Sequence, residues 1–181
     1  AWSCDLEPAE DGSPFHWRGD VLELIRDTRD DPEFWPPFDL MIAHPECRYL
    51  CSSGLHWNKR RPERLALTEA AIKFALALWN APIERVALEN PVGCLSTVIR
   101  KPDQIIQPNQ FGDDASKATC LWLRRLPPLR PTRKVAGRIV NGRERWSNQT
   151  DSGQNRLGPS PTRSADRART YPGIGNAMAT Q

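Results

Sequence analysis

The chain has 181 residues, a hydrophobic content of 39% and 17 prolines, which fits one domain with its own core and much irregular chain. No run approaches the roughly 18 apolar residues of a membrane span, and the first residues lack the basic start and apolar stretch of a signal peptide, so we expect a cytoplasmic protein. The net charge of +3 is uneven: residues 124–170 carry eleven arginines and one lysine against three acidic residues, a net of +9, which leaves −6 for residues 1–123. Four of the five cysteines lie in or beside apolar runs, which indicates reduced thiols and not a disulfide framework.

The first half of the chain shows four predicted segments. Residues 2–5 are typical of a short strand, and residues 20–27 of a helix with Asp20 as a possible N-cap. By length and apolarity, residues 38–43 predict a buried strand. A long polar loop over residues 44–61 is expected to follow.

The clearest element is a helix that begins with Pro62 in its first turn and ends at Asn80. Its apolar residues recur at helical spacing, at Leu67, Ala70 or Ala71, Phe74 and Leu78. A strand over residues 83–88 follows, and the strand, helix, strand order predicts two neighbouring parallel strands joined by a right-handed crossover. Further along, we expect a strand over residues 118–123, irregular chain from Arg124, and a last helix from Ile174 to Met178.

Two apolar runs stop abruptly at polar, reactive residues. The first leads into His44-Pro45-Glu46-Cys47, and the second into Glu89-Asn90-Pro91. Because ligands of open α/β sheets bind beyond the carboxyl ends of the strands, the Cys47 thiol and the Glu89 carboxyl are expected to face one crevice. Such a pair suits attack on an electron-poor ring whose nitrogen the carboxylic acid protonates.

A Pro-x-Cys loop followed by a Glu-Asn-Pro loop resembles the motifs of DNA cytosine-5 methyltransferases, most closely the short methyltransferase-like proteins of bacteriophages and prophages. The resemblance covers most of residues 1–123 and returns at Tyr171-Pro172-Gly173-Ile174-Gly175-Asn176-Ala177, which is similar to the family's closing Gly-Asn-Ala motif. It implies an α/β fold with a Rossmann-like methyltransferase sheet in residues 1–123. Residues 124–170 would then be a basic, irregular, DNA-contacting region, and residues 171–181 a segment that returns to the catalytic domain. The family's first strand and glycine-rich loop would precede residue 1, so we expect a fragment truncated at its N-terminus, encoded by a phage or prophage and inactive as it stands.

The resemblance also implies a reaction. Cys47 would add to C6 of a cytosine flipped out of the duplex while Glu89 engages the ring nitrogen. C5 would take the methyl group of S-adenosylmethionine, the C5 proton would leave, and the thiolate would be expelled. Of the adjacent residues, Arg48 could lower the pKa of Cys47 and Glu46 could raise it; the family usually has Gln and Pro at these two positions.

Other site residues follow from the same resemblance. Pro45 and Asn90 complete the two catalytic motifs. Gln110-Phe111-Gly112 precedes Lys117 and Thr119, which stand where the family carries arginines beside the base. For the cofactor, the resemblance implies Asp5, with Glu7 as a substitute, at the ribose; Asp20 and Leu22 at the adenine; and Asn176 at the closed end of the pocket.

The basic region predicts contacts with DNA phosphates that weaken as salt rises. The residues named for this role are Arg156, Arg163, Arg167 and Arg169. Gln154-Asn155-Arg156 is also a weaker candidate for the arginine motif beside the base. The alternative is a solvated tail. We expect DNA as the partner, no membrane, and a monomer.

Two other functions stay open. His44, Cys47, Cys51 and His56 have the spacing H-x2-C-x3-C-x4-H, and four nitrogen and sulfur ligands could bind zinc in a nucleic-acid-binding knuckle. The chain could also be a methyltransferase-derived DNA-binding protein without catalytic activity.

Overall fold

A computed structural model describes residues 1–30, 37–168 and 170–181 and shows a mixed α/β protein. The strands are β1 (Ser3–Asp5), β2 (His16–Arg18), β3 (Leu40–Ala43), β4 (Arg85–Pro91), β5 (Gln104–Ile106), β6 (Thr119–Arg124), β7 (Arg138–Val140) and β8 (Arg143–Arg145). The α-helices are α1 (Val21–Asp30), α2 (Ser52–Leu55), α3 (Arg64–Trp79), α4 (Leu95–Val98), α5 (Arg163–Ala168) and α6 (Pro172–Thr180). Single 3-10 turns span Cys47–Tyr49, His56–Lys59 and Pro108–Gln110.

The main sheet has four strands in the order β3, β4, β6, β5. β3 and β4 are parallel neighbours, which confirms the predicted pairing across α3. β6 runs antiparallel to both β4 and β5, so the sheet is mixed. The predicted strand over 118–123 is therefore confirmed, and it lies in the interior of the sheet and not at its edge.

Helices cover both faces of this sheet. Val86, Leu88 and Trp122 belong to a core that also contains α1 and α3 residues such as Ile25 and Leu78. Leu121, the neighbour of Trp122 on β6, packs instead against Ile174 and Ala177 of α6, together with Ile106 and Phe111. Because successive strand residues point to opposite faces, α6 lies on the face opposite to α1 and α3.

Three predictions for the segments around the reactive residues are wrong. β4 continues through Pro91, because Glu89 and Asn90 pair in register with Leu121 and Cys120 of β6. The segment 44–61 is not a loop but folds into α2 and two 3-10 turns. β3 is an edge strand and not a buried one, with Leu40 44% and Ile42 42% exposed.

Helix α3 is present where predicted, but it begins at Arg64 and Pro62 lies in the turn before it. Its buried residues are Thr68, Ala75 and Leu78. Leu67, expected on the buried face, is 45% exposed. Leu78 is buried, however, and Ala71 and Phe74 pack against the main core, so the rest of the predicted face is confirmed.

The chain begins with a separate parallel pair, β1 and β2, in which Cys4 lies opposite Trp17. Strand β2 was not predicted, because three residues carry little pattern. In the turn that follows, Asp20 accepts a hydrogen bond from the backbone N–H of Leu22 at 2.8 Å. That bond confirms Asp20 as the N-cap of α1.

Residues 124–170 are more ordered than predicted. β7 and β8 form a hairpin whose turn residues, Asn141 and Gly142, have φ values of 49° and 73°. Both residues tolerate this left-handed backbone, which a two-residue hairpin turn requires. α6 extends beyond the predicted 174–178 at both ends. No helix within the described residues is long and apolar enough to cross a membrane.

Candidate functional site

A cleft opens on the α6 face of the main sheet. It encloses about 330 Å³ of empty space, part of it open to solvent. The residues that line it are His44, Glu89, Lys117, Thr119, Thr170, Tyr171, Ile174 and Met178. The sheet side therefore contributes a carboxyl, an imidazole, an ammonium and a hydroxyl group, and α6 contributes an apolar wall. Small-molecule sites typically have such a lining, in which a few polar groups face an apolar wall.

Register places Glu89 in this cleft. Glu89 on β4 pairs with Leu121 on β6, and residues opposite each other across an antiparallel pair share a face. Thr119, two residues before Leu121, projects to the same side. The backbone N–H of Lys117 donates to the side-chain oxygen of Gln107 at 2.9 Å, which fixes the chain just before β6.

Close contacts hold α6 over the cleft. The N–H of Gly173 donates to the Asp113 carboxylate at 3.0 Å, and the Gly173 Cα lies so near the Phe111 carbonyl that a Cβ there would collide with it. Asn148 donates to the hydroxyl oxygen of Tyr171 at 3.3 Å. Burial is the main cause that raises the pKa of Tyr171 above its ordinary value, so the phenol stays neutral.

Glu89 has a direct partner at the cleft. Nδ1 of His44 and Oε2 of Glu89 are 3.1 Å apart, with the Glu89 side chain largely buried and that of His44 half exposed. A hydrogen-bonded imidazole can give a proton to the carboxyl or take one from it. The sequence predicts only a zinc-ligand role for His44, although a histidine directly after a strand is itself a signal for a site residue.

Asn90 does not line the cleft, contrary to its predicted place in the catalytic set. It is 1% exposed, and its amide Nδ2 donates to the backbone carbonyl of Pro45 at 2.9 Å. Its Oδ1 is buried without a partner among the described residues. Asn90 therefore positions the chain that leads to Cys47, and Pro45 supplies the acceptor for that bond.

The thiols of Cys47 and Cys51 form a pair one helical turn apart. The N–H of Cys51 donates to the carbonyl of Cys47 at 2.9 Å, and residues at this spacing share one helix face. The hydrogen bond from the Cys47 thiol lowers the pKa of Cys51 to about 5, although burial opposes this; bonds from Ser53 and the Gly54 N–H and the charge of Arg167 help. The hydrogen bond therefore favours a thiolate on Cys51 and a protonated thiol on Cys47.

The same bond raises the pKa of Cys47, and burial and the Cys51 charge raise it further. Glu89 adds to the rise, whereas the charge of Lys117 opposes it. The thiol of Cys47 thus lies within electrostatic range of two residues that line the cleft. The cation that acts on it is Lys117 and not the adjacent Arg48, whose side chain contacts Glu46 at 3.5 Å.

A second turn of chain packs against the thiol pair. Cys51 and Gly93 form a β-bridge, and the N–H of Cys94 donates to the Leu50 carbonyl at 2.9 Å. A Cβ on Gly93 would come within 2.7 Å of the Cys51 Cα. The segment after β4 therefore presses directly on the segment that carries the thiols, and only glycine allows this approach.

The predicted cofactor residues are only partly brought together. Burial first, and then the carboxylates of Asp5 and Asp20, raise the pKa of Cys4, so the two acids flank one thiol at the ends of β1 and β2. Glu7 is exposed. Leu22 packs against the main core, and Asn176 is exposed on α6, so neither faces a pocket with the two acids.

The predicted DNA-binding arginines are scattered. Arg156 donates to the Gln149 carbonyl at 2.8 Å and stabilises a turn. Arg163 is half buried, with its Nε unpaired among the described residues. Arg167 is exposed on α5, and Arg169 lies outside the described residues. In the other proposed arginine motif, Gln110 closes a capping box with Gln107 and does not approach the cleft.

The four proposed zinc ligands do not assemble. Among the described residues, no three His, Cys, Asp or Glu side chains are placed to hold a metal ion. The ring of His56 lies against Trp57, with centroids 4.9 Å apart, while His44 contacts Glu89. Comparisons of the chain with protein-family models, curated proteins and solved structures find no match.

Proposed function

We propose that this chain carries the nucleophile and the acid of a DNA cytosine-5 methyltransferase of phage type, acting as a monomer on a base flipped out of DNA. The observation that carries the proposal is that Glu89 and Lys117 line one cleft and that the charges of both act on the Cys47 thiol, which is not itself a lining residue. The parallel β3 and β4, with Cys47 after the first and Glu89 near the end of the second, support a Rossmann-like sheet.

Proton movements within the site support this chemistry. The thiol proton of Cys47 passes along its hydrogen bond to Cys51, which frees a thiolate to form a bond with C6 of the ring. Glu89 gives a proton to the ring nitrogen, and the His44 contact of 3.1 Å offers a source for it. Lys117 stabilises the negative charge that moves onto Cys47. In the elimination, water removes the C5 proton, the bond between C6 and the Cys47 sulfur breaks, the ring nitrogen returns its proton to Glu89, and Cys47 takes its proton back from Cys51.

The cofactor would be held at the acidic ends of β1 and β2. Asp5 and Asp20 are the kind of carboxylates that accept hydrogen bonds from ribose hydroxyls, and they already share one location beside Cys4. These two residues fit that part of the group. When bound, S-adenosylmethionine supplies the methyl group.

The methyltransferase-derived DNA-binding protein without catalysis is the second candidate. Its support is the raised pKa of Cys47, which keeps the proposed nucleophile protonated unless Cys51 accepts the proton.

Exchange of the cytosine C5 hydrogen tests the proposal without any cofactor. Addition of a thiolate to C6 makes C5 basic, so a single-stranded oligonucleotide in deuterated water should gain deuterium at C5, as read by mass spectrometry. Cys47→Ser should abolish the gain, and Glu89→Gln should slow it by about a hundredfold or more, the typical contribution of a general acid. Cys4→Ser, which alters a thiol outside the cleft, should exchange like the wild type.

Bound oligonucleotide without exchange would overturn the catalytic proposal and support the binding protein. Exchange that persists in Cys47→Ser would show that another group is the nucleophile.

A further inference from the structure

A cluster of exposed cations surrounds one tryptophan on the segment after α2. Trp57 is 39% exposed. The guanidinium carbons of Arg60 and Arg61 lie 5.6 and 5.5 Å from the centroid of its ring, within the range of a cation–π contact. His56 packs against the same ring. We call residues 56–61 the basic–aromatic segment.

The charges of this segment are not neutralised. Lys59, Arg60 and Arg61 are exposed, and none of them forms a salt bridge with any residue in the described part of the chain. Residues 48–64 carry a net charge of +4, whereas the rest of residues 1–123 carry −10. A local cationic surface on an otherwise acidic body attracts a polyanion to that surface.

The segment is held in place by the fold. Asn58 donates to the hydroxyl of Thr68 on α3 at 2.9 Å, and the backbone N–H groups of Arg60 and Arg61 both bond the Trp57 carbonyl. Arg64 places its guanidinium 4.7 Å from the ring of Tyr49 and donates to the Arg48 carbonyl. The basic–aromatic segment is therefore pre-organised, and it is joined through α2 to the thiol pair.

We propose that Trp57, Arg60 and Arg61 bind a single-stranded stretch of nucleic acid, with bases stacking on the indole or guanidinium planes and phosphates pairing with the cations. An exposed aromatic ring beside two arginines suits bases and phosphates together, whereas a polyanion without bases would use only the charges. The inference rests on the proposed function only for the class of partner, because it requires no chemistry at Cys47.

Binding of a fluorescent single-stranded oligonucleotide, followed by anisotropy, tests whether the basic–aromatic segment binds nucleic acid. Trp57→Ala should weaken binding about tenfold or more, the effect of losing a stacked base, and Trp57→Phe should keep most of the affinity. The double variant Arg60→Ala with Arg61→Ala should reduce the slope of log Kd against log salt by about 1.4, since each phosphate contact on a single strand contributes about 0.7. Lys73→Ala with Arg85→Ala removes the same charge from exposed sites elsewhere and should change the slope little.

Polyglutamate is a polyanion without bases, so its binding measures the contribution of charge without stacking. Trp57→Ala should leave its affinity unchanged, while the double arginine variant weakens it. Equal binding of the oligonucleotide by Trp57→Ala and wild type, or equal slopes for the two double variants, would overturn the inference, provided circular dichroism shows folded protein. C5 exchange that still occurs in such a case leaves the proposed function standing. If C5 exchange is absent but Trp57→Ala weakens oligonucleotide binding strongly, the catalytic proposal fails and the nucleic-acid-binding inference stands.

Discussion

Cys47 and Cys51 differ in charge because their surroundings differ. Cys51 receives hydrogen bonds from Cys47, Ser53 and the Gly54 N–H and the field of Arg167, and its pKa falls to about 5. Cys47 donates in the pair and its pKa rises. We therefore predict about one thiolate per chain at pH 7, seen as ultraviolet thiolate absorbance, that disappears as the pH falls through about 5.

Variants locate that charge. Cys51→Ser should remove the absorbance at pH 7, and Cys47→Ala should weaken it because Cys51 loses its first hydrogen bond. Cys4→Ser should leave it unchanged, because burial and the Asp5 and Asp20 charges raise the pKa of Cys4 and keep it protonated. A titration midpoint near 8.5 in the wild type, the ordinary cysteine value, would contradict the paired arrangement.

Asn90 joins strand β4 to the chain that precedes Cys47 through one buried hydrogen bond. Asn90→Ala leaves the Pro45 carbonyl without its donor, so the free energy of unfolding should fall by about 1–2 kcal/mol, measured by urea denaturation. The thiol of Cys47 should also react faster with an alkylating agent. Asn176→Ala, which trims an exposed side chain, should stay within about 0.5 kcal/mol of the wild type. Equal stability of the two variants would contradict the positioning role.

Helix α6 contains two glycines with opposite requirements. A Cβ at Gly173 would collide with the Phe111 carbonyl and lie 2.7 Å from the Asp113 carboxylate, whereas at Gly175 nothing lies within 4 Å. Gly173→Ala should therefore lower the free energy of unfolding by about 1–3 kcal/mol and move the apolar wall of the cleft. Gly175→Ala should raise it by up to about 1 kcal/mol, because alanine favours a helix. Thermal unfolding of the two variants, changing in opposite directions, is the check.

Elements with a long pattern could be predicted from the sequence, and short ones could not. α3 and β6 have enough apolar residues to show a period, so they were found close to their true bounds. β2 and β5 have three residues each, and they exist because a neighbouring strand supplies their hydrogen bonds. The hairpin turn at Asn141-Gly142 was a missed local signal, since Asn-Gly favours this turn.

The residues of the candidate site also divide into those that the sequence could predict and those that it could not. Glu89 could be named because a strand ends near it, and Lys117 and Thr119 because of the family resemblance, and all three line the cleft. The role of Cys51 could not, because its charge depends on a hydrogen bond from Cys47 and on Arg167, more than a hundred positions away in sequence. Asn90 was expected at the cleft, but its side chain is used to hold Pro45.

At the scale of the molecule, positive charge occupies two separate stretches of chain. One is the basic–aromatic segment and its neighbours, and the other is residues 124–170 with a net of +9. Lys134 and Arg143 of the second stretch are exposed, and no side-chain bond to them is present within the described residues. Arg138, Arg145 and Arg156 are instead engaged with backbone carbonyls. The cations free to meet phosphates are thus fewer than the net charge suggests.

One strand that contacts both stretches should show additive salt dependence. Lys134→Ala with Arg143→Ala should lower the slope of log Kd against log salt by about 1.4, as should Arg60→Ala with Arg61→Ala, and the four changes together by about 2.8. Anisotropy titrations over a series of salt concentrations measure all three slopes. If the two stretches bound separate strands, a short oligonucleotide would contact only one stretch at a time. The quadruple variant would then lose no more slope than the double variant that shows the larger loss. Because additivity holds for sites that share no partner residues, a quadruple-variant loss that exceeds the larger double-variant loss but stays below 2.8, with folded protein, would mean that the cations compete for the same phosphates.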